Sequence, residues 1–203
     1  MKSYPSITYP GKKGVGKQLH TFAKLDGSNL RFEWTKKKGW HKFGTRRHLF
    51  DESFDVYGPA IPLFRERLAE KLERVIHDNR WDKAIVFCEY YGPGSLGGQH
   101  EPGASMELTV IDVNPHRKGI LSPTDFLKMF GEVGPHYLGY LKWSTELIEQ
   151  VRHGELEGAT FEGVVGKYME GKVLKMHKTK TEAWREAILA RYGEVRGRKL
   201  INS

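Results

Sequence analysis

A single cysteine in 203 residues, Cys88, excludes an internal disulfide and any zinc site built from cysteines. Nine histidines are scattered without H-E-x-x-H or a comparable ligand spacing, which argues against zinc held by histidine. No window approaches the ~20 consecutive apolar residues of a membrane helix. The opening segment MKSYPSITYPGKKG has no apolar core able to act as a signal peptide. These absences predict a soluble, cytoplasmic protein in a reducing compartment. There is also no internal repeat, and no low-complexity stretch longer than the cluster Lys36–Lys38.

What is present supports a packed domain. Hydrophobic residues make up 38% and aromatic residues 12%, enough to bury a substantial core at a length that fits one domain. Thirty-three Lys and Arg against 25 Asp and Glu leave a net charge of +8, which favours a polyanionic partner such as nucleic acid or nucleotide.

The pattern mixes short strands with a few helices. Residues 20–34 read as two β segments around the turn Asp26-Gly27-Ser28, because Leu30, Phe32 and Trp34 alternate with polar residues. Residues 63–77 form an amphipathic helix with Phe64, Leu68, Leu72, Val75 and Ile76 on one stripe. Ala84-Ile85-Val86-Phe87-Cys88 is a buried strand that ends in a Gly-rich loop, residues 92–98, and 107–113 is another strand. Ser122-Pro123-Thr124-Asp125 starts a helix, with a hydroxyl cap, proline in the first turn and a carboxylate at the positive end of the dipole. A short helix over 144–152 should stop at Gly154. Strands 160–168 and 172–177 follow, then an amphipathic helix over 181–192 and a basic end. The pattern is α+β built on antiparallel sheet.

Gly11-Lys12-Lys13-Gly14-Val15-Gly16-Lys17 has the spacing of a phosphate-binding loop. Gln18 stands where Ser or Thr should meet magnesium, and neither a leading strand nor a following long helix frames it, so it reads as a basic loop. Cys88 reads as a packing residue, and Trp184 and Tyr192 as core contacts of the last helix. Lys36–Lys38 with Trp34 and Trp40 fits a nucleic-acid surface or a solvated hairpin equally well.

Four segments in fixed order carry the chemistry: Lys24-Leu25-Asp26-Gly27-Ser28-Asn29, Phe87-Cys88-Glu89-Tyr90-Tyr91-Gly92, Glu162-Gly163-Val164-Val165-Gly166-Lys167, and Val173-Leu174-Lys175-Met176-His177-Lys178. A lysine before a tight turn, beside Phe22 and Ala23, is expected to be partly desolvated. Its pKa should then fall, giving a nucleophilic amine. Glu89 and Glu162 on separate strands can hold ribose hydroxyls and a hydrated divalent cation, and lysines on a further strand can neutralise a phosphate. Together these parts describe attack by a lysine on a nucleoside triphosphate.

The four segments resemble the motifs of the covalent nucleotidyltransferases, the polynucleotide ligases and capping enzymes: K-x-D/H-G, a strand ending in an acidic residue and glycine, E-G-x-V-x-K, and a lysine-rich strand. The resemblance covers most of the chain, from Lys24 to about Lys178. Asn29 after K-x-D-G-S is similar to RNA ligases of the phage and editing type, where DNA ligases and capping enzymes usually carry arginine. The resemblance implies a nucleotidyltransferase (ATP-grasp-like ligase) fold of antiparallel sheets flanked by helices. It implies an ATP-dependent RNA ligase that uses Mg2+ or Mn2+ and joins 5′-phosphate to 3′-hydroxyl ends or nicks in RNA repair, as a monomer without membrane attachment.

By the same resemblance Lys24 becomes the lysyl-AMP. Glu89 contacts ribose, and Glu162 holds ribose or, through water, the metal. Lys167 and Lys175 contact the α-phosphate, Asp26 and Asn29 belong to the nucleotide site, and Arg46, with Arg47 as rival, meets nucleotide or the 5′-phosphate end. The fifth motif departs from K-x-K: either His177 takes the second lysine place, or a register shift brings in Lys178 or Lys180. Ile111 stands where an aromatic often stacks on the purine. Residues 1–180 would form the adenylyltransferase domain and 181–203 a helix and basic tail, with no oligonucleotide-binding domain. In that tail Arg191, Arg196, Arg198 and Lys199 would be free for a polynucleotide backbone, and the small size suggests a compact genome such as a phage's. The alternatives are a minimal DNA-nick ligase, a GTP-using capping guanylyltransferase, and an idle RNA-end-binding module.

Overall fold

The computed structural model describes residues 4–7, 15–98 and 103–202. Among the described residues nine strands form two antiparallel sheets. The first, in the order β7-β1-β8-β9, contains β1 (Gln18–Ala23), β7 (Tyr137–Lys142), β8 (Gly163–Glu170) and β9 (Val173–Lys180). The second, in the order β4-β3-β2-β5-β6, contains β2 (Gly27–Thr35), β3 (Gly39–Gly44), β4 (Leu49–Phe50), β5 (Lys83–Tyr91) and β6 (Glu107–Pro115). The expected α+β architecture is therefore present. The turn at Asp26 has a different role from the one its sequence suggests. β1 and β2 do not pair, so Lys24-Leu25-Asp26 carries the chain from one sheet to the other.

Alternation along the central strands sorts side chains between a core and a cleft. Ala84, Val86, Cys88 and Tyr90 of β5 join Leu30, Phe32 and Trp34 of β2 in the largest core. That core is covered by the helical run α1 (Ala60–Phe64), a π-helical segment (Arg65–Ala69) and α2 (Glu70–Asp78), and by α3 (Pro123–Phe130). Cys88 packs there with no exposure, as its place in the strand suggests. The opposite face of β5 shows Phe87 and Glu89, and Phe87 meets Val165 of β8, Met176 of β9 and Tyr4 in a cluster that joins the two sheets. The outer face of the first sheet packs Leu19, Trp143 and Val164 against α4 (Thr145–His153).

Local signals explain the helix ends. Ser122 Oγ accepts from the Asp125 amide at 3.1 Å, and Ser144 Oγ from the Leu147 amide at 3.2 Å. β7, not anticipated, is the edge partner of β1 and has only partly buried or exposed side chains, so no strong alternation marks it. The last helix, α5 (Glu182–Asn202), bends at Gly193 and buries Trp184, Ile188 and Ile201. Among the described residues no helix is long and apolar enough to cross a membrane.

Candidate active site

The crossover Lys24-Leu25-Asp26 leaves the first sheet where β8 begins. The Lys24 amide donates to the Gly163 carbonyl at 2.9 Å, and the Thr160 hydroxyl donates to the Lys24 carbonyl, so the lysine backbone is pinned from both sides. Two glycines are required by this geometry. A Cβ on Gly27 would lie 2.4 Å from the Tyr90 carbonyl oxygen. Gly163, at φ 128°, would bring a Cβ within 2.1 Å of the Thr179 carbonyl oxygen.

At the centre, Lys24 Nζ lies 2.9 Å from one carboxylate oxygen of Glu162 and Lys180 Nζ lies 3.1 Å from the other. The Glu162 and Lys180 side chains are 5% and 3% exposed, and Lys24, at 16%, opens slightly more to the cleft. Glu89 and Asn29 are cross-strand partners on the cleft face, and Asn29 Nδ2 is buried with no hydrogen-bond partner among the described residues. The Lys180 ammonium also sits 3.9 Å from the centroid of the buried Trp184 ring.

These neighbours set the charges. Burial pulls Lys24 toward the neutral amine, but the carboxylates of Glu162, Glu89 and Asp26, with the hydrogen bond to Glu162, outweigh it and hold the pKa above the ordinary value. The expected depression is thus reversed, because the sequence could not place three carboxylates around one lysine. The desolvated amine is instead Lys180. Burial brings it down to about 8, against the pull of Glu162 and with the push of Lys24 and Lys178. Lys178 is lowered by burial and by Lys24. Burial raises Glu89 to about 8, with Glu162 and Asp26 adding to the rise and Lys24 opposing it.

Lys167 occupies a neighbouring chamber. Its ammonium donates to Asp112 at 2.8 Å and to the Ile111 carbonyl at 2.7 Å, and the Tyr4 hydroxyl donates to the same Asp112. A β-bulge at Phe87/Cys88 opposite Ile111 lets Ile111 and Asp112 both serve this side of the sheet. Between Lys24 and Lys167 lies a narrow cavity of about 50 Å³ walled by Tyr4, Ile7, Ile111, Pro135 and Val165.

The fifth motif is displaced by strand alternation. Met176, Lys178 and Lys180 share the inner face of β9, while Lys175 and His177 point the other way. Lys175 is half exposed and 3.8 Å from Glu170. The His177 ring packs beside Tyr168 and Trp143, at centroid distances of 5.7 and 6.4 Å, on the far side of the sheet. Lys175 and His177 are therefore not brought to the site, and Lys178-Thr179-Lys180 supplies the K-x-K spacing. The frame is selected by Met176, which packs inward with Tyr4 and Phe87.

Asp26 is also placed differently. Its carboxylate accepts from the Gly97 amide at 2.6 Å, and burial, then Glu162, raises its pKa against that bond, so it ties the crossover to the loop after β5. Arg46 is exposed on the turn between β3 and β4, near enough for its charge to lower Lys178. Of the basic residues near the end, Arg191 donates to the Ser95 carbonyl at 3.0 Å and Arg198 makes an exposed i,i+4 pair with Glu194. The stretch Gly11–Lys17 lies mostly outside the described residues.

No protein-family model and no curated protein matches the sequence. Solved structures do. A mutant Naegleria gruberi RNA ligase with AMP and Mn superposes with a TM-score of 0.64 at 14% identity, over 91% of this chain and 57% of that one. The same ligase with PPi gives 0.63 at 15%, over 89% and 53%. A further mutant of it with ATP and Mn gives 0.62 at 15%, over 90% and 54%. The chain thus spans little more than half the length of the ligases it resembles. Its two antiparallel sheets, with the cleft between them, are the nucleotidyltransferase-type fold of those RNA ligases.

Proposed function

We propose that this chain is an ATP-dependent RNA ligase that works through a lysyl-AMP intermediate, with residues 1–180 as its adenylyltransferase unit. The observation that carries the reading is a backbone-clamped lysine whose Nζ is 2.9 Å from a buried carboxylate, with two further lysines on β9 facing the same space. Binding alone needs no such nucleophile. RNA ligases of the same fold were solved with AMP and Mn, with PPi, and with ATP and Mn, which supports a nucleotide and a divalent ion here.

In this reading Lys24 loses its proton to Glu162 or to solvent, and its lone pair attacks the α-phosphorus of ATP. A nitrogen–phosphorus bond forms, the bond to pyrophosphate breaks, and the electron pair leaves with pyrophosphate. Lys178 and Lys180 are placed to meet the charge on the phosphoryl oxygens. Lys167, fixed by Asp112, lines the base side of the cleft, where Ile111 and Val165 give an aliphatic seat. AMP then passes to a 5′-phosphate, and a 3′-hydroxyl displaces it.

Among the described residues no group of three or more His, Cys, Asp or Glu is placed to hold a metal ion. The donor set fits an ion that keeps water and phosphate oxygens as ligands and uses Glu89 or Glu162 as a flanking carboxylate, as magnesium commonly does. The unpartnered Asn29 Nδ2 is a donor, suited to a phosphate oxygen, and the Glu162 and Glu89 carboxylates are the groups left for a hydrated, phosphate-bound ion, Glu89 once it has lost its proton. When bound, it would neutralise charge on the phosphates.

The test is acid-stable labelling by α-labelled ATP with magnesium or manganese. Label is expected in the wild type and in Lys17→Ala, and none in Lys24→Ala. Because Glu162 keeps Lys24 protonated, labelling should accelerate with rising pH through the neutral range. An unlabelled wild type across that range would remove the reading. Parallel labelling with GTP, and sealing of nicks with RNA or DNA 3′-hydroxyl ends, separates the ligase from the capping and DNA-ligase alternatives.

A further inference from the structure

The first turn of α5 is fastened to the strand entry that carries Glu162. The Thr181 amide donates to the Glu162 carbonyl at 3.1 Å, and the Thr181 hydroxyl donates to the Phe161 carbonyl at 2.6 Å. The same hydroxyl oxygen accepts from the Trp184 amide at 3.0 Å and so caps the helix into which β9 runs.

Trp184 is fully buried, and its ring is a wedge between two parts of the site. One face takes the Lys180 ammonium, 3.9 Å from the ring centroid. The indole edge lies against Gly97, where a Cβ would come within 2.8 Å of both Nε1 and a carboxylate oxygen of Asp26. The Gly97 amide is the donor that holds Asp26, so the loop after β5, the crossover and Lys180 all meet one indole. Leu96, Phe161 and Ile188 pack around it and fix the ring from the other sides.

A ring used only as apolar filling would face hydrocarbon. Here it faces an ammonium group that is 3% exposed, shares the Glu162 carboxylate with Lys24, and is repelled by Lys24 and Lys178. A buried ammonium with half a carboxylate needs a second attraction, and the indole face supplies one without carrying a charge. The ring face also has no proton to exchange. It keeps Lys180 in place while Glu162 is engaged with the proton of Lys24 or with substrate.

We infer that Trp184 is a positioning residue for the transfer, holding the Lys180 ammonium toward the reacting phosphoryl group by a cation–π contact and drawing the first turn of α5 into the site. The inference rests on the ligase reading for the reaction it serves.

Two readouts test it, and one of them is independent of catalysis. In NMR spectra of protein carrying isotope-labelled lysine at neutral pH, Lys180 should give an ε-methylene signal shifted upfield by the indole ring current. Its loss in Lys180→Ala identifies it. The signal should stay shifted in Trp184→Phe and move to the ordinary lysine position in Trp184→Leu. In single-turnover labelling with α-labelled ATP, Trp184→Leu should be about tenfold slower than the wild type, the size of effect a desolvated cation–π contact supplies, and Trp184→Phe should recover most of that loss. Trp184→Leu combined with Lys180→Ala should label no more slowly than Lys180→Ala alone, because a residue that acts through Lys180 then has nothing left to position. A merely structural role would add its loss to that of Lys180→Ala. A wild-type rate in Trp184→Leu, additive losses in the double variant, or the absence of a shifted signal that depends on Lys180 overturns the inference, and the last of these requires no Trp184 variant to fold. A shifted signal that responds to Trp184→Leu, in a wild type that takes no label, would sink the ligase reading and leave the placement of Lys180 by Trp184 standing.

Discussion

Lys24 and Lys167 both reach a buried carboxylate, at 2.9 and 2.8 Å, and their surroundings differ in kind. Around Lys167 the account closes. Asp112 takes the ammonium and the Tyr4 hydroxyl, the Ile111 carbonyl takes a second ammonium donor, and the rings of Phe22 and Phe126 lie 5.1 and 5.3 Å away. Around Lys24 it stays open. Asp26, Glu89 and Glu162 act on it together, Lys178 and Lys180 crowd the same space, and Asn29 keeps a buried donor unused. A satisfied buried pair fixes positions. A cluster of mutually shifted groups can exchange protons and accept a charged substrate.

Replacing the carboxylates should separate these two roles. Asp112→Asn leaves a buried ammonium with only a carbonyl, and breaking such a pair costs about 3–5 kcal/mol. Glu162→Gln also deprives Lys180 of its carboxylate, but Lys180, already lowered to about 8, can release its proton, and Glu89 and Asp26 still face Lys24, so this change should cost less stability. In ATP labelling the order should invert, with Glu162→Gln the more damaged. Urea denaturation with parallel labelling checks both, and a larger stability loss in Glu162→Gln would contradict the contrast.

The next effect concerns the two faces of β9. Lys180→Ala and Lys178→Ala should each slow labelling by roughly 10²–10³, the usual cost of one preorganised donor to a developing oxyanion. Lys175→Ala, from the half-exposed outer face, should stay within about twofold of the wild type. Single-turnover labelling rates measure this directly, and a slow Lys175→Ala beside a fast Lys180→Ala would restore the sequence-derived assignment.

That β9 result also marks how far the sequence could be read. The alternation of β2, the buried run of β5 and the Ser122 cap are local patterns, and they appear in the structure where the pattern puts them. What stayed hidden depends on partners distant in the chain. β1 and β2 flank a turn that looks like a hairpin, but they pair with β7 and β8, and with β3 and β5, instead. The frame of β9 is set by Met176 meeting Tyr4 and Phe87 across the sheets. Lys24 looked desolvated from its apolar neighbours, and only the convergence of three carboxylates from separate segments reverses its shift. Asp26 carried no hint that Gly97, seventy-one residues away, would claim its carboxylate.

The smallest effect is a pH signature of the open cluster, read as thermal stability without nucleotide. Glu89 binds its proton more tightly folded than unfolded, its pKa rising from 4.5 to about 8, so its contribution falls as pH climbs through that window. Lys180 behaves oppositely. Its folded pKa of about 8 lies below the ordinary 10.5, so the unfolded chain holds more protons between those values and stability rises with pH there. Together they predict a minimum of thermal stability near pH 8. Glu89→Gln should remove the acid-side fall, and Lys180→Gln the alkaline recovery. Asp112→Asn should lower the whole curve and keep the dip, because the closed pair lies outside the groups that create it. A dip that survives both cluster substitutions would place its origin elsewhere and erase the distinction between the two lysines.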